Sequence, residues 1–113
     1  MPKSLERLLH EYRTKLQDVS EEHIKKVILY GSYARGDFQA DSDIDIMILV
    51  DLDEKSLKSC EDKIYDLTYD FNSEHDTEIM PVVQNIDHFN YWKKTYMFYK
   101  NVEEEGIILW KAA

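Results

Sequence analysis

The sequence predicts an α/β (α+β) fold, a small mixed β-sheet flanked by helices. Two observations predict it. Three short apolar runs, at residues 26–30, 43–50 and 76–83, have the length and composition of strands. Between and around them lie longer segments whose apolar residues recur at helical spacing.

The elements follow in order. Over residues 4–19, Leu5, Leu8, Leu9, Tyr12, Leu16 and Val19 fall on one helical stripe with charges between them. Ser4 is the expected N-cap, and Arg7 stands where a capping box would need Glu or Gln. Residues 26–30 read as a short buried strand that stops at Gly31, and residues 32–35 as a short helix ended by Gly36 and Asp37. Residues 43–50 form the clearest strand, alternating at first and then apolar on both faces, as in a strand covered by helices. A helix over residues 53–71 carries Leu57, Cys60, Ile64, Leu67 and Phe71 along one side. The third strand contains Pro81, which cannot donate to a ladder and so marks a sheet edge or a bulge. Residues 86–99 read as one aromatic-rich helix, and Gly106 breaks the pattern before Ile107, Ile108, Leu109 and Trp110. No repeat or linker interrupts the chain, so residues 1–113 are expected to form one domain.

Composition narrows the function. A formal net charge of −9 is unsuited to a protein gripping DNA or RNA alone, because phosphate backbones are held by basic surfaces. The surplus acid either keeps the protein soluble or includes carboxylates that hold a divalent metal. The single cysteine, Cys60, cannot form an internal disulfide, and no apolar segment resembles a membrane span or a secretory signal. A cytoplasmic protein is the expectation.

The chemistry concentrates between residues 31 and 45. A strand running into Gly31 and Ser32 and then a helix brings backbone N–H groups to a point just beyond the strand, where they suit a phosphate. The Ser32 hydroxyl adds a further donor. At the start of the next strand, Asp43 and Asp45 share a face while Ile44 and Ile46 point to the core. Two such carboxylates side by side repel unless a cation lies between them, and Mg²⁺ prefers oxygen ligands of this kind together with triphosphate oxygens. Nucleotidyl transfer needs that arrangement. A third carboxylate would complete a two-metal site. Asp76 and Glu78 are both placed for it, and Glu78, directly before the apolar run from Ile79, is expected to lie deeper in the sheet.

Gly31-Ser32, ten residues, then Asp43-Ile44-Asp45 and an apolar strand resembles the DNA polymerase beta-like nucleotidyltransferase superfamily. Arg35, Gly36 and Ser42 make the likeness to its minimal nucleotidyltransferase branch closer, and residues 79–83 and 98–102 extend it over most of the chain. The resemblance implies the polymerase beta-like fold and Mg²⁺-dependent transfer of AMP from ATP to a hydroxyl. Asp43, Asp45 and Glu78 would be the catalytic, metal-binding carboxylates, with Gly31, Ser32, Arg35 and Ser42 on the nucleotide. Glutamate at 78 departs from the more usual aspartate. Proteins of this branch often serve as antitoxins beside a helical HEPN-type ribonuclease toxin, adenylylating a tyrosine near the toxin's Arg-x4-His motif. This chain lacks that motif, so the resemblance makes it the antitoxin half of a hetero-oligomer. Two other functions remain open: an antitoxin that neutralises by contact alone, and an antibiotic-type nucleotidyltransferase, whose usual additional helical domain does not fit this length.

Other residues have plainer expectations. Arg35 either clamps the triphosphate or pairs with Asp37 or Asp41, and Asp41 is expected to be a solvated loop residue. His10, His23, His75 and His88 lack metal-ligand spacing, and Cys60 sits on an apolar stripe as a core residue. Of Phe89, Tyr91, Trp92, Tyr96, Phe98 and Tyr99, about half are expected in the core and the rest on a docking surface.

Overall fold

The computed structural model describes residues 1–20 and 22–113. Four strands form one mixed sheet in the order β3-β2-β1-β4, where β1 is Ile24–Tyr30, β2 is Ile44–Val50, β3 is Ile79–Asn85 and β4 is Ile107–Lys111. β1 runs antiparallel to both β2 and β4, and β2 runs parallel to β3. The parallel step requires a crossover, which the 22-residue helix α3 (Glu54–His75) provides.

The sheet is covered on both sides. Ile44, Ile46, Ile48 and Val50 face the first core beneath α1 (Lys3–Ser20) and α3, while Met47 and Leu49 face a second beneath α4 (Ile86–Trp92) and α5 (Met97–Glu105). This accounts for a strand that is apolar in both registers. It also sets Asp45, two residues before Met47, on the α4–α5 side.

α1 buries Leu5, Leu9, Tyr12 and Leu16, as its stripe predicts, with Leu8 half-buried beside them. The helix starts one residue before Ser4, and the Glu6 N–H donates to the Pro2 carbonyl, so Ser4 is not its cap. α3 is capped by Asp53, whose carboxylate accepts from the Ser56 N–H at 2.9 Å, and is tied to α1 by the buried Tyr12–Thr68 hydroxyl pair at 2.7 Å. Cys60 is buried on its inner face.

Three sequence expectations change. The third strand begins at Ile79, because Asp76 takes a left-handed conformation (φ 50°) that caps α3. Pro81 does lie on an edge strand, β3. The aromatic segment forms two helices rather than one, separated by a turn in which the Thr95 and Tyr96 N–H groups bond the Trp92 carbonyl. Ten residues along one α-helix would leave Phe89 and Tyr99 about 80° apart around its axis. The break lets both point inward, and each is buried. Residues after Gly106 add a fourth strand that the apolar pattern alone did not separate from a helix end. No helix among the described residues is long and apolar enough to cross a membrane.

Candidate active site

β1 ends at Tyr30, and Gly31 turns the chain into the single-turn helix α2 (Ser32–Arg35), which Gly36 closes in the left-handed region. Gly31 has φ 75° and ψ −154°, a conformation essentially reserved for glycine. A Cβ there would collide with the Asp45 carboxylate. The missing side chain therefore does two things: it permits the turn, and it lets Asp45 lodge directly against the main chain. Gly31 also offers no side chain to cap α2, and the first N–H groups of any helix lack an intrahelical acceptor.

Asp43 and Asp45 lie close enough that Asp43's charge helps to raise the Asp45 pKa, after partial burial, while Arg35 lowers it. Glu78 lies beside Asp43. Hydrogen bonding with that carboxylate, then its charge, push the Glu78 pKa up. Glu78 is exposed rather than deep in the sheet, since it precedes β3, yet its carbonyl accepts the Ile44 N–H at 2.9 Å and fixes it at the mouth of β2. Asp76, which caps α3, lines the same cleft as Glu78. Among the described residues, no three His, Cys, Asp or Glu side chains converge as a complete metal site would require.

Asp45 and Glu78 line different clefts. One, of about 410 Å³, is lined by Gly31, Ser32, Arg35 and Asp45 on one side and by Tyr30 and α5 on the other. The second, of about 330 Å³, is lined by Tyr33, Ser42, Asp76 and Glu78, with Asp41 exposed at its rim. The seven site residues read from the sequence are thus gathered at one end of the sheet, but they do not share one pocket. The Ser42 hydroxyl accepts the Gln39 N–H at 2.8 Å and shapes the loop. Arg35 does pair with Asp37, at 3.2 Å, and not with Asp41; its second partner is Glu105 of α5, at 3.3 Å.

Sequence reasoning missed Tyr30, Phe98, Asn101 and Glu105 as site-lining residues. Tyr30 is paired with Asp45 across β1 and β2, and partial burial and then that carboxylate push its phenol up to about 12. The pairing of the two strand ends was the one available signal. Of the six C-terminal aromatics, Phe89 and Tyr99 are buried; Tyr91, Trp92, Tyr96 and Phe98 remain exposed. His23 bonds Asp51 and His75 bonds Glu11, and neither histidine lines the two clefts.

Comparisons with known proteins give the family and support the fold. The model of the nucleotidyltransferase domain family matches residues 9–109. A Methanocaldococcus jannaschii protein, provisionally named a protein adenylyltransferase, is 36% identical over 105 residues, covering 93% of this chain and 97% of its own. A second protein of that organism, with the same provisional name, is 30% identical over 102 residues, covering 88% and 93%. Among solved structures, a chain from a toxin–antitoxin with AMP-PNP superposes with a TM-score of 0.57 at 22% identity, covering 90% of this chain and 73% of that one. A chain from a tri-AMPylated Shewanella oneidensis HEPN toxin in complex with its MNT antitoxin gives 0.53 at 20%, covering 95% and 73%. These last two likenesses show the fold. With the Gly31–Asp45 arrangement at the sheet end and the family model spanning nearly all of it, the chain belongs to the nucleotidyltransferase domain family.

Proposed function

We propose that this protein transfers AMP from ATP, with Mg²⁺, to a tyrosine hydroxyl of a cognate HEPN-type toxin, and so acts as that toxin's antitoxin in the cytoplasm. The observation that carries the reading is the Asp45 carboxylate seated on the Gly31 backbone, beside Asp43, in a cleft that also holds Ser32 and Arg35. The names of the Methanocaldococcus relatives support a protein acceptor, and the complexes of the structural neighbours support a toxin partner.

The donor set suits a hard dication. Asp43, Asp45 and Glu78 offer oxygen alone; partial burial and then Asp43's charge raise the Asp45 pKa, and hydrogen bonding with Asp43 and then its charge raise that of Glu78, shifts that a cation would oppose. Held by these carboxylates, Mg²⁺ would neutralise the triphosphate and stabilise the departing pyrophosphate. The chain's own groups do the rest. The Gly31–Ser32 main chain and the Ser32 hydroxyl hold the phosphates. Arg35 joins them when it leaves Glu105. Glu78, beside Asp43, takes the proton of the acceptor hydroxyl as that hydroxyl's oxygen bonds the α-phosphorus and the bond to pyrophosphate breaks. Ser42 shapes the loop that carries Asp43. The net charge of −9 suits a basic, RNA-cleaving partner and not a nucleic acid.

The test is incubation of the protein with labelled ATP, Mg²⁺ and the HEPN-type protein encoded beside it. Label should move to a tyrosine of that partner, and EDTA, Asp43→Asn or Asp45→Asn should abolish the transfer. A double Asp43→Asn, Asp45→Asn variant that neutralises the toxin as well as the wild type, with no label moved by either, would replace this reading with neutralisation by contact.

A further inference from the structure

The 410 Å³ cleft has more in it than phosphate chemistry requires. Its far wall comes from β1 and α5, where Tyr30, Phe98 and Asn101 face the groups that would hold a triphosphate. The 330 Å³ cleft carries Asp41, Asp76 and Glu78 and no basic side chain. Arg35 also lies on the α5 side. A triphosphate held by Arg35 and the Gly31–Ser32 turn would leave its base on the α5 side.

We propose that α5 is the base-reading element: Phe98 stacks on the base, and Asn101 selects adenine by its N6/N7 edge. The inference rests on the proposed reaction only in placing a nucleoside triphosphate in this cleft. Phe98 is 36% exposed, and its ring meets Tyr30 edge-on at 5.6 Å and Tyr96 edge-on at 6.3 Å, so its orientation is fixed by neighbours. A ring held in this way gives a base a flat partner at little ordering cost. Asn101 lies three residues on, one helical turn along the same face, and is exposed. Of the other polar groups of α5, Tyr99 bonds Gln84, Glu103 bonds Lys93 and Glu105 bonds Arg35, while Lys100 and Glu104 do not line the cleft. A carboxamide offers one donor and one acceptor side by side, which matches adenine's N6 amino group and N7. Guanine presents two acceptors at the same edge and leaves the amide carbonyl facing one of them.

Displacement of a fluorescent ATP analogue from the full-length chain by ATP or GTP, with Mg²⁺, tests the inference apart from catalysis. The wild type should prefer ATP by about tenfold. Asn101→Leu should bring the ratio close to one, mainly by weakening ATP. Phe98→Leu should weaken both nucleotides about tenfold and leave the ratio intact. Circular dichroism checks that each variant is folded. An ATP preference that survives Asn101→Leu, a wild type without preference, or a probe that does not bind each overturns the inference. A wild type that discriminates through Asn101 yet moves no AMP to protein upholds it and refutes the proposed reaction.

Discussion

Replacing Gly31 with alanine separates the two things that this glycine does. At φ 75° and ψ −154° any side chain is strained, at a cost of about 1–3 kcal/mol. The new methyl group also occupies the space of the Asp45 carboxylate. Asp45 is a short, half-buried side chain at a strand end, and it relieves the collision by rotating away. The collision therefore costs function more than stability. Gly36 provides the control, since it too has a positive φ, 86°, but a Cβ there meets nothing within 4 Å. Gly36→Ala should lose about 1–2 kcal/mol, the price of a left-handed alanine, and keep its transfer activity. Gly31→Ala should lose about 1–3 kcal/mol, roughly 4–13 °C in Tm for a domain of this size, and about a hundredfold in rate because a carboxylate proposed to bind metal is displaced by an ångström or so. Thermal unfolding followed by circular dichroism and the AMP-transfer assay measure the two effects on the same samples. A Gly31→Ala protein that loses stability but transfers at the wild-type rate would refute the reasoning.

Three further outcomes follow from the site and its surroundings. Glu78→Gln should lower the transfer rate at least about a hundredfold, and Asp76→Asn should leave it near wild type; the opposite result in the same assay would make Asp76 the third carboxylate. Glu105→Gln frees Arg35 from one of its two carboxylates and removes a negative charge from the cleft proposed to hold the triphosphate, so KM for ATP should fall roughly two- to fivefold. His75, near the end of α3, has its pKa raised above 6.5 by its hydrogen bond to the Phe71 carbonyl and then by Glu11. Its contribution to stability is full below 6.5 and is lost as pH rises through the higher folded value. The midpoint of urea unfolding should accordingly decline above about pH 6.5, and His75→Gln should flatten that decline.

The parts legible in the sequence were those with a local cause. Period-two and period-3.6 patterns placed β1, β2, α1 and α3, and Pro81 marked an edge before any sheet was visible. Gly31, Asp43 and Asp45 were legible because a turn and a strand start bring them together within fifteen residues. Three parts depended on distant contacts. The split between α4 and α5 answers to a sheet face that both Phe89 and Tyr99 must reach. Asp76 left the predicted strand to cap a helix. Phe98, Asn101 and Glu105 belong to the cleft only because α5 packs beside β1, a pairing that no local pattern records.

The fourth strand has a consequence for the order of folding. β1 meets β2 after a short excursion, with Tyr30 opposite Asp45, whereas Lys26 meets Lys111 only after nearly the whole chain has been spanned. Loop closure grows by about 0.6 kcal/mol per doubling of length, so zipping β4 onto β1 costs about 1.5 kcal/mol more than the first pairing. It is a late, non-local step. Gly106 joins β4 directly to α5, and α5 carries the far wall of the 410 Å³ cleft. Hydrogen exchange should find β4 amides opening before those of β2, with α5 following them. The carboxylates proposed for catalysis are then in place early on the sheet, and the cleft that would hold ATP closes around them only when β4 has docked.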